Sequence, residues 1–131
     1  MDTSEISKKL ILIVDDDDAV RELLEIILRK EGFRVENSSN GNDAITKVKA
    51  KNPDLIILDL MLPGFGGFEI LRELQSDDTH NIPVIIVTGK YMDKTTSEMI
   101  KMEPNVVDFI EKPIKTHIFI SAVEKALKIK K

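Results

Sequence analysis

Four short, unbroken apolar runs set the limits on how this chain can fold: Leu10–Val14, residues 55–58, residues 84–87 and, more weakly, residues 106–110. Runs of this length are short for a buried helix and too continuous for a sheet with one wet face. They fit strands covered on both sides, as strands of a parallel sheet are. A fifth segment, residues 33–37, alternates Phe33 and Val35 with Arg34 and Glu36, which fits a half-exposed edge strand. Helical spacing fills the gaps. Val20, Leu23, Leu24, Ile27 and Leu28 recur on one stripe that stops at Gly32, a residue suited to the left-handed conformation past a helix end. Ala44, Ile45 and Val48 make a second stripe, and Phe68, Leu71 and Leu74 a third. Residues 93–101 are helix-like but poorly patterned, and Phe119, Ala122, Val123, Ala126 and Leu127 make the last stripe before a lysine-rich end.

Strand and helix therefore alternate five times. Such alternation predicts one parallel sheet with helices on both faces. The first, third and fourth strands are the most apolar and belong in the centre; the second and fifth are mixed and belong at the edges. The expected fold is α/β, flavodoxin-like, a five-stranded (βα)5 sheet in the order 2-1-3-4-5. At 131 residues the chain suits one domain over residues 9–131, with residues 1–8 as a polar N-terminal extension. The absence of cysteine excludes disulfides, thiolate metal sites and cysteine nucleophiles. A net charge of −4 gives no basic footprint for nucleic acid and predicts no strong attraction to an anionic membrane. No apolar run reaches the roughly 18 residues a membrane helix needs, and residues 1–9 lack a signal-peptide core. A cytoplasmic location is expected.

Chemistry gathers at the strand ends. The first strand runs into Asp15, Asp16, Asp17 and Asp18, the third into Asp59, the fourth into Thr88 and Gly89, and the fifth into Lys112 and Pro113. In a doubly wound sheet, ligands bind at the carboxyl ends of the strands where the strand order reverses. Here that point lies between the first and third strands, so Asp15, Asp16 and Asp59 should converge. Carboxylates so close repel, and a hard divalent cation with oxygen ligands relieves them; Mg²⁺ is the usual ion where phosphate is the co-ligand. One aspartate after a strand is more often a helix cap, and Asp17 or Asp18 fits that role. Three strand ends in agreement favour a site.

The stretches Ile13-Val14-Asp15-Asp16-Asp17, Leu58-Asp59-Leu60-Met61-Leu62-Pro63-Gly64, Val87-Thr88-Gly89 and Glu111-Lys112-Pro113 together resemble the receiver domains of two-component response regulators. The resemblance spans about residues 8–130. It implies Asp59 as phosphoacceptor, Asp16 as a direct Mg²⁺ ligand, Asp15 acting mainly through a metal-bound water, and the backbone carbonyl of Met61 as a further ligand, with Mn²⁺ able to substitute. It further implies Lys112 as the phosphate-binding lysine, Thr88 as the hydroxyl that moves to the phosphoryl oxygen, and Phe109 as an aromatic switch; core packing explains Phe109 equally well. The implied function is phosphorelay: phosphoryl acceptance from a sensor histidine kinase or a phosphotransfer protein, switching a surface formed by the fourth helix, fifth strand and fifth helix of the repeat. Such a protein catalyses only its own aspartyl phosphorylation and dephosphorylation. Its other partners would be a downstream target or a fused output domain, with a second copy of the chain as a further candidate. An aspartate-nucleophile phosphatase would need a second acid at position 61, where methionine stands. The segment Glu103-Pro104-Asn105-Val106-Val107 departs from the family's usual small turn, and Lys90 adds a cation two places beyond Thr88.

Overall fold

The computed structural model describes residues 3–60, 67–76, 78–89 and 94–129, with the backbone only for residues 3, 4 and 96. A short helix, α1 (Thr3–Ile6), precedes β1 (Leu10–Val14), α2 (Asp18–Lys30), β2 (Arg34–Ser38), α3 (Gly41–Lys51), β3 (Leu55–Asp59), α4 (Gly67–Glu73), β4 (Val84–Thr88), α5 (Lys94–Lys101), β5 (Val106–Glu111) and α6 (Thr116–Ala126). The five strands form one parallel sheet in the order β2-β1-β3-β4-β5, as the apolar runs predict. The fourth and fifth helices of the repeat are thus α5 and α6.

Every residue of β1, β3 and β4 is buried, which is why these strands read as unbroken apolar runs. Alternate side chains feed two separate cores. Ile11, Ile13, Leu55, Ile57, Ile85 and Val87 pack against α2 and α6 through Leu24, Leu28, Phe119 and Val123. Leu12, Val14, Ile56, Leu58, Val84 and Ile86 pack on the other face against α3, α4 and α5 through Ala44, Val48, Ile70, Leu71 and Ile100. Each fully buried leucine or isoleucine contributes roughly 1.5–3 kcal/mol. The step from β1 to β2 moves one way under α2, and the later steps move the opposite way under helices on the opposite face. All four crossovers therefore share one hand, as parallel connections require.

Local signals set the helix ends. Asp17 caps α2, its side chain accepting from the Ala19 and Val20 amides; Asn40 caps α3 by accepting from Asp43. Gly32 follows α2 with φ +100°, the conformation predicted for it. The strand bounds differ from the sequence reading by one residue: β2 is shifted to 34–38, and β5 extends to Glu111. Between Val84 and Ile85 the partner on β5 jumps from Val106 to Asp108, so Val107 bulges outward. Residues 3–6 are not a detached tail. Ile6 packs against the α2–α6 core, and Ile129, beyond the last helix, is buried in it.

β2 is an open edge, and side chains occupy its outward carbonyls. Arg34 and Ser38 bond towards β1, so the alternate residues Val35 and Asn37 face away from it. Arg29 donates to the Val35 carbonyl at 3.1 Å, and Lys47 donates to that of Asn37. On the opposite edge the Phe109 amide donates to the Asp108 side chain at 2.8 Å. Exposed strand edges recruit further strands unless blocked. The double substitution Arg29→Ala/Lys47→Ala is expected to lower stability by roughly 1–3 kcal/mol and to increase concentration-dependent self-association in sedimentation velocity. A sedimentation profile identical to wild type would show that the edge needs no such block.

Candidate functional site

Parallel register brings the acids together. Val14 lies opposite Leu58 on the neighbouring strand, so the next positions, Asp15 and Asp59, fall side by side at the carboxyl end of the sheet. Asp15 is 2% exposed and Asp59 5%. Asp16, one residue further, is exposed. One carboxylate oxygen from each of the three lies within 4.8 Å of the others. A set made only of carboxylate oxygens suits a hard cation such as Mg²⁺ and suits softer ions poorly.

The counter-charge comes from the far side of the sheet. Lys112, just past β5 and joined to Pro113 by a cis peptide bond, donates its amide to the Thr88 carbonyl at 2.8 Å. Its Nζ reaches Asp15 Oδ2 at 2.9 Å and Asp59 Oδ2 at 3.5 Å. Burial alone would lower the Lys112 pKa; the hydrogen bond and charge of Asp15, joined by Asp59, outweigh it and hold the pKa above the ordinary 10.5. Gly89 leaves room for the lysine stem, since a Cβ there would stand 3.2 Å from Lys112 Cδ. Thr88 is buried at the tip of β4, opposite Glu111.

The aspartate run is organised from within. Asp15 Oδ1 accepts from the Asp17 amide at 2.9 Å, and the Asp15 amide donates to the Ser38 carbonyl at 3.1 Å. Arg21, one turn into α2, donates through Nη1 to the Asp15 carbonyl at 2.6 Å and pairs through Nη2 with Asp18. Gly67 opens α4 hard against the acceptor strand: a Cβ there would meet Leu60 Cα at 2.7 Å and the Asp59 carbonyl at 3.1 Å. Sequence reasoning missed both Arg21 and Gly67. The signals were weak ones, an arginine four places past an N-cap and a glycine opening a helix close behind Asp59.

Asp15, Asp16, Asp59 and Lys112 thus meet at one point, with Thr88 beside them on β4. Phe109 lies further out, half-buried against the α3–α5 core, with Lys101 Nζ 5.6 Å from its ring centroid. Met61 and Lys90 fall outside the described residues. His80 and His117 are exposed. No helix among the described residues is long and apolar enough to cross a membrane.

A family model described as the response regulator receiver domain matches residues 11–124. The chain is 36% identical over 121 residues to the DNA-binding response regulator MtrA of Mycolicibacterium smegmatis, covering 92% of this chain and 51% of that protein. It spans about half the length of the curated relatives it matches. Among solved structures, a CheY-like receiver domain protein from Methanospirillum hungatei superposes with a TM-score of 0.84 at 28% identity, covering 92% of this chain and 94% of that one. The signal receiver domain of a histidine kinase from Syntrophus aciditrophicus gives 0.81 at 33% identity, covering 92% and 90%.

Two outcomes follow from this geometry. A methyl group at position 67 has backbone, not a flexible side-chain end, to displace, so Gly67→Ala should cost roughly 1–3 kcal/mol, read as a lowered urea midpoint. Because the folded-state pKa of Lys112 is raised, its contribution to stability is complete below about 10.5 and fades as pH rises through the higher folded value. In EDTA, the stability gap between wild type and Lys112→Met, about 1–3 kcal/mol, should hold steady from neutral pH and narrow only in the alkaline range. A gap that closes near neutrality would contradict the ion pairing.

Proposed function

The chain belongs to the response regulator receiver domain family of two-component signalling, and from that we propose that it is an aspartyl-phosphate switch in which Asp59 accepts the phosphoryl group. The observation that carries this reading is the meeting of Asp15, Asp16 and Asp59 within 4.8 Å, with Lys112 Nζ bridging two of them.

Asp59 is the acid best placed to attack. It is buried at the strand tip, its carboxylate held against the lysine rather than turned into the core. An Asp59 carboxylate oxygen bonds to the phosphorus of a phosphohistidine on a kinase or phosphotransfer protein. The phosphorus–nitrogen bond breaks as the new bond forms, and the imidazole keeps the electron pair. Lys112 keeps its proton through neutral pH and offers its charge to the phosphoryl oxygens. Thr88 supplies a hydroxyl from β4 to the same group. Asp15, Asp16 and Asp59, with the Met61 carbonyl as a further donor, would hold Mg²⁺ or Mn²⁺. When bound, the ion neutralises the carboxylates and draws charge from the phosphoryl oxygens.

Release is hydrolysis of the same anhydride, so the chain turns over no external metabolite. The product adds charge and acceptor oxygens at the tips of β3, β4 and β5, and Thr88 and Lys112 transmit it. The readout surface is α5, β5 and α6, where Met99, Met102, Val107 and Ile118 are exposed. Phe109 lies within this surface, and Lys101 connects its ring to α5. Its partner there is a downstream protein or an output domain on the same polypeptide; the relative MtrA is a DNA-binding regulator about twice this length.

Acetyl phosphate or beryllofluoride with Mg²⁺ should modify the wild type and leave Asp59→Asn unmodified, as followed by mass spectrometry for the phosphoryl adduct and by fluorine NMR for beryllofluoride. Equal modification of both would remove Asp59 from its role. Asp16→Ala should weaken Mg²⁺ binding at least about tenfold, measured by calorimetry.

A further inference from the structure

We propose that Arg21 is a positioning residue for the acidic cluster, fixing the loop that presents Asp16; the inference rests on the reading of that cluster as a Mg²⁺ site. The four consecutive aspartates after β1 do not behave alike. Asp15 is spent on structure and counter-charge: its Oδ1 accepts from the Asp17 amide and its Oδ2 from Lys112. Asp17 is spent on the helix, accepting from the Ala19 and Val20 amides. Asp18 pairs with Arg21. Only Asp16 has a carboxylate with no partner among the described residues, and it is the one that contributes an exposed oxygen to the cluster.

Arg21 ties this division together. Its side chain is 16% exposed, folded back over the first turn of α2. One nitrogen takes the Asp15 carbonyl at 2.6 Å. That carbonyl belongs to the peptide joining Asp15 to Asp16, so the bond fixes the plane from which the Asp16 side chain departs. The other nitrogen takes Asp18, which anchors the guanidinium from the helix side. A planar guanidinium reaches the two partners from separate nitrogens held in one plane, whereas a lysine would have to reach both from a single nitrogen at the end of a flexible stem. The cluster is thereby preorganised before any cation arrives, and a loop already in its bound conformation loses little entropy on binding.

The sign of the effect separates this from a charge effect. A fixed cation near the cluster repels Mg²⁺, so on charge alone Arg21→Gln would bind Mg²⁺ more tightly, and Arg21→Lys would match wild type. Positioning gives the opposite result. Both variants should bind Mg²⁺ about tenfold more weakly, with lysine failing to rescue.

The test is isothermal titration of Mg²⁺ into EDTA-stripped wild type, Arg21→Gln, Arg21→Lys and Asp16→Ala, each first shown to unfold cooperatively in urea. Saturating Mg²⁺ should also restore beryllofluoride adduct formation in both Arg21 variants to the wild-type extent, which separates a loop defect from a lost acceptor. Wild type binding with Asp16→Ala impaired and either Arg21 variant equal to or tighter than wild type would overturn the positioning role while leaving the metal site intact. No Mg²⁺ binding by the wild type would overturn both. If Arg21→Gln fails to fold, Arg21→Lys decides alone.

Discussion

Two buried carboxylates held side by side by strand register are the constraint around which this molecule is arranged. With oxygens within 4.8 Å of each other, two such charges repel by about 3 kcal/mol or more at an effective dielectric near 20, and neither can escape, because each follows an apolar run locked in the sheet. The consequences spread outward. A lysine arrives from the tip of β5, the backbone at Thr88 receives that lysine's amide, and glycine at position 89 leaves room beside its stem. The crowding of charge is met by a counter-charge brought in from β5.

That solution is also what makes the site usable. A cluster whose repulsion was fully quenched by permanent partners would have no use for a cation or a phosphoryl group. Lys112 satisfies one oxygen of Asp15 and one of Asp59 and leaves Asp16 open. The arrangement is incompletely compensated, and the negative field left at the strand tips suits a hard divalent cation. In the function proposed for this chain, folding and cation binding draw on the same three carboxylates.

Much of this was legible in the sequence, for physical reasons that also mark where legibility ends. Parallel central strands are buried on both faces, so β1, β3 and β4 had to be apolar throughout, and a polar residue at the end of such a run had to lie at a sheet tip. The strand order followed from composition because edges tolerate Arg34 or Glu111 where centres do not. The placement of the acids, Lys112 and Thr88 at the strand tips was legible because the strands that carry them define their positions along the chain. Contacts made across space by long side chains had no such marker. Arg21 looks like any helix-surface arginine until its arm is seen folded back over the Asp15 carbonyl. Gly67 carries no periodic signal, and its need is set by the approach of Leu60. The bulge at Val107 reflects a mismatch between two strands, which neither strand shows alone. Ile6 and Ile129 are single apolar residues in polar surroundings, and burial of one side chain at each end leaves no pattern to read.

The two cores on opposite faces of the sheet give the fold an asymmetry of purpose. One face joins α2 to α6 with Phe119 fully buried between helix and sheet; the other carries three helices of 11, 7 and 8 residues, each resting on few large side chains. The sheet stands between them like a bulkhead, and the apolar side chains on its two sides share no compartment. A protein divided in this way can let one half breathe in response to a charge at its rim while the other keeps the whole afloat.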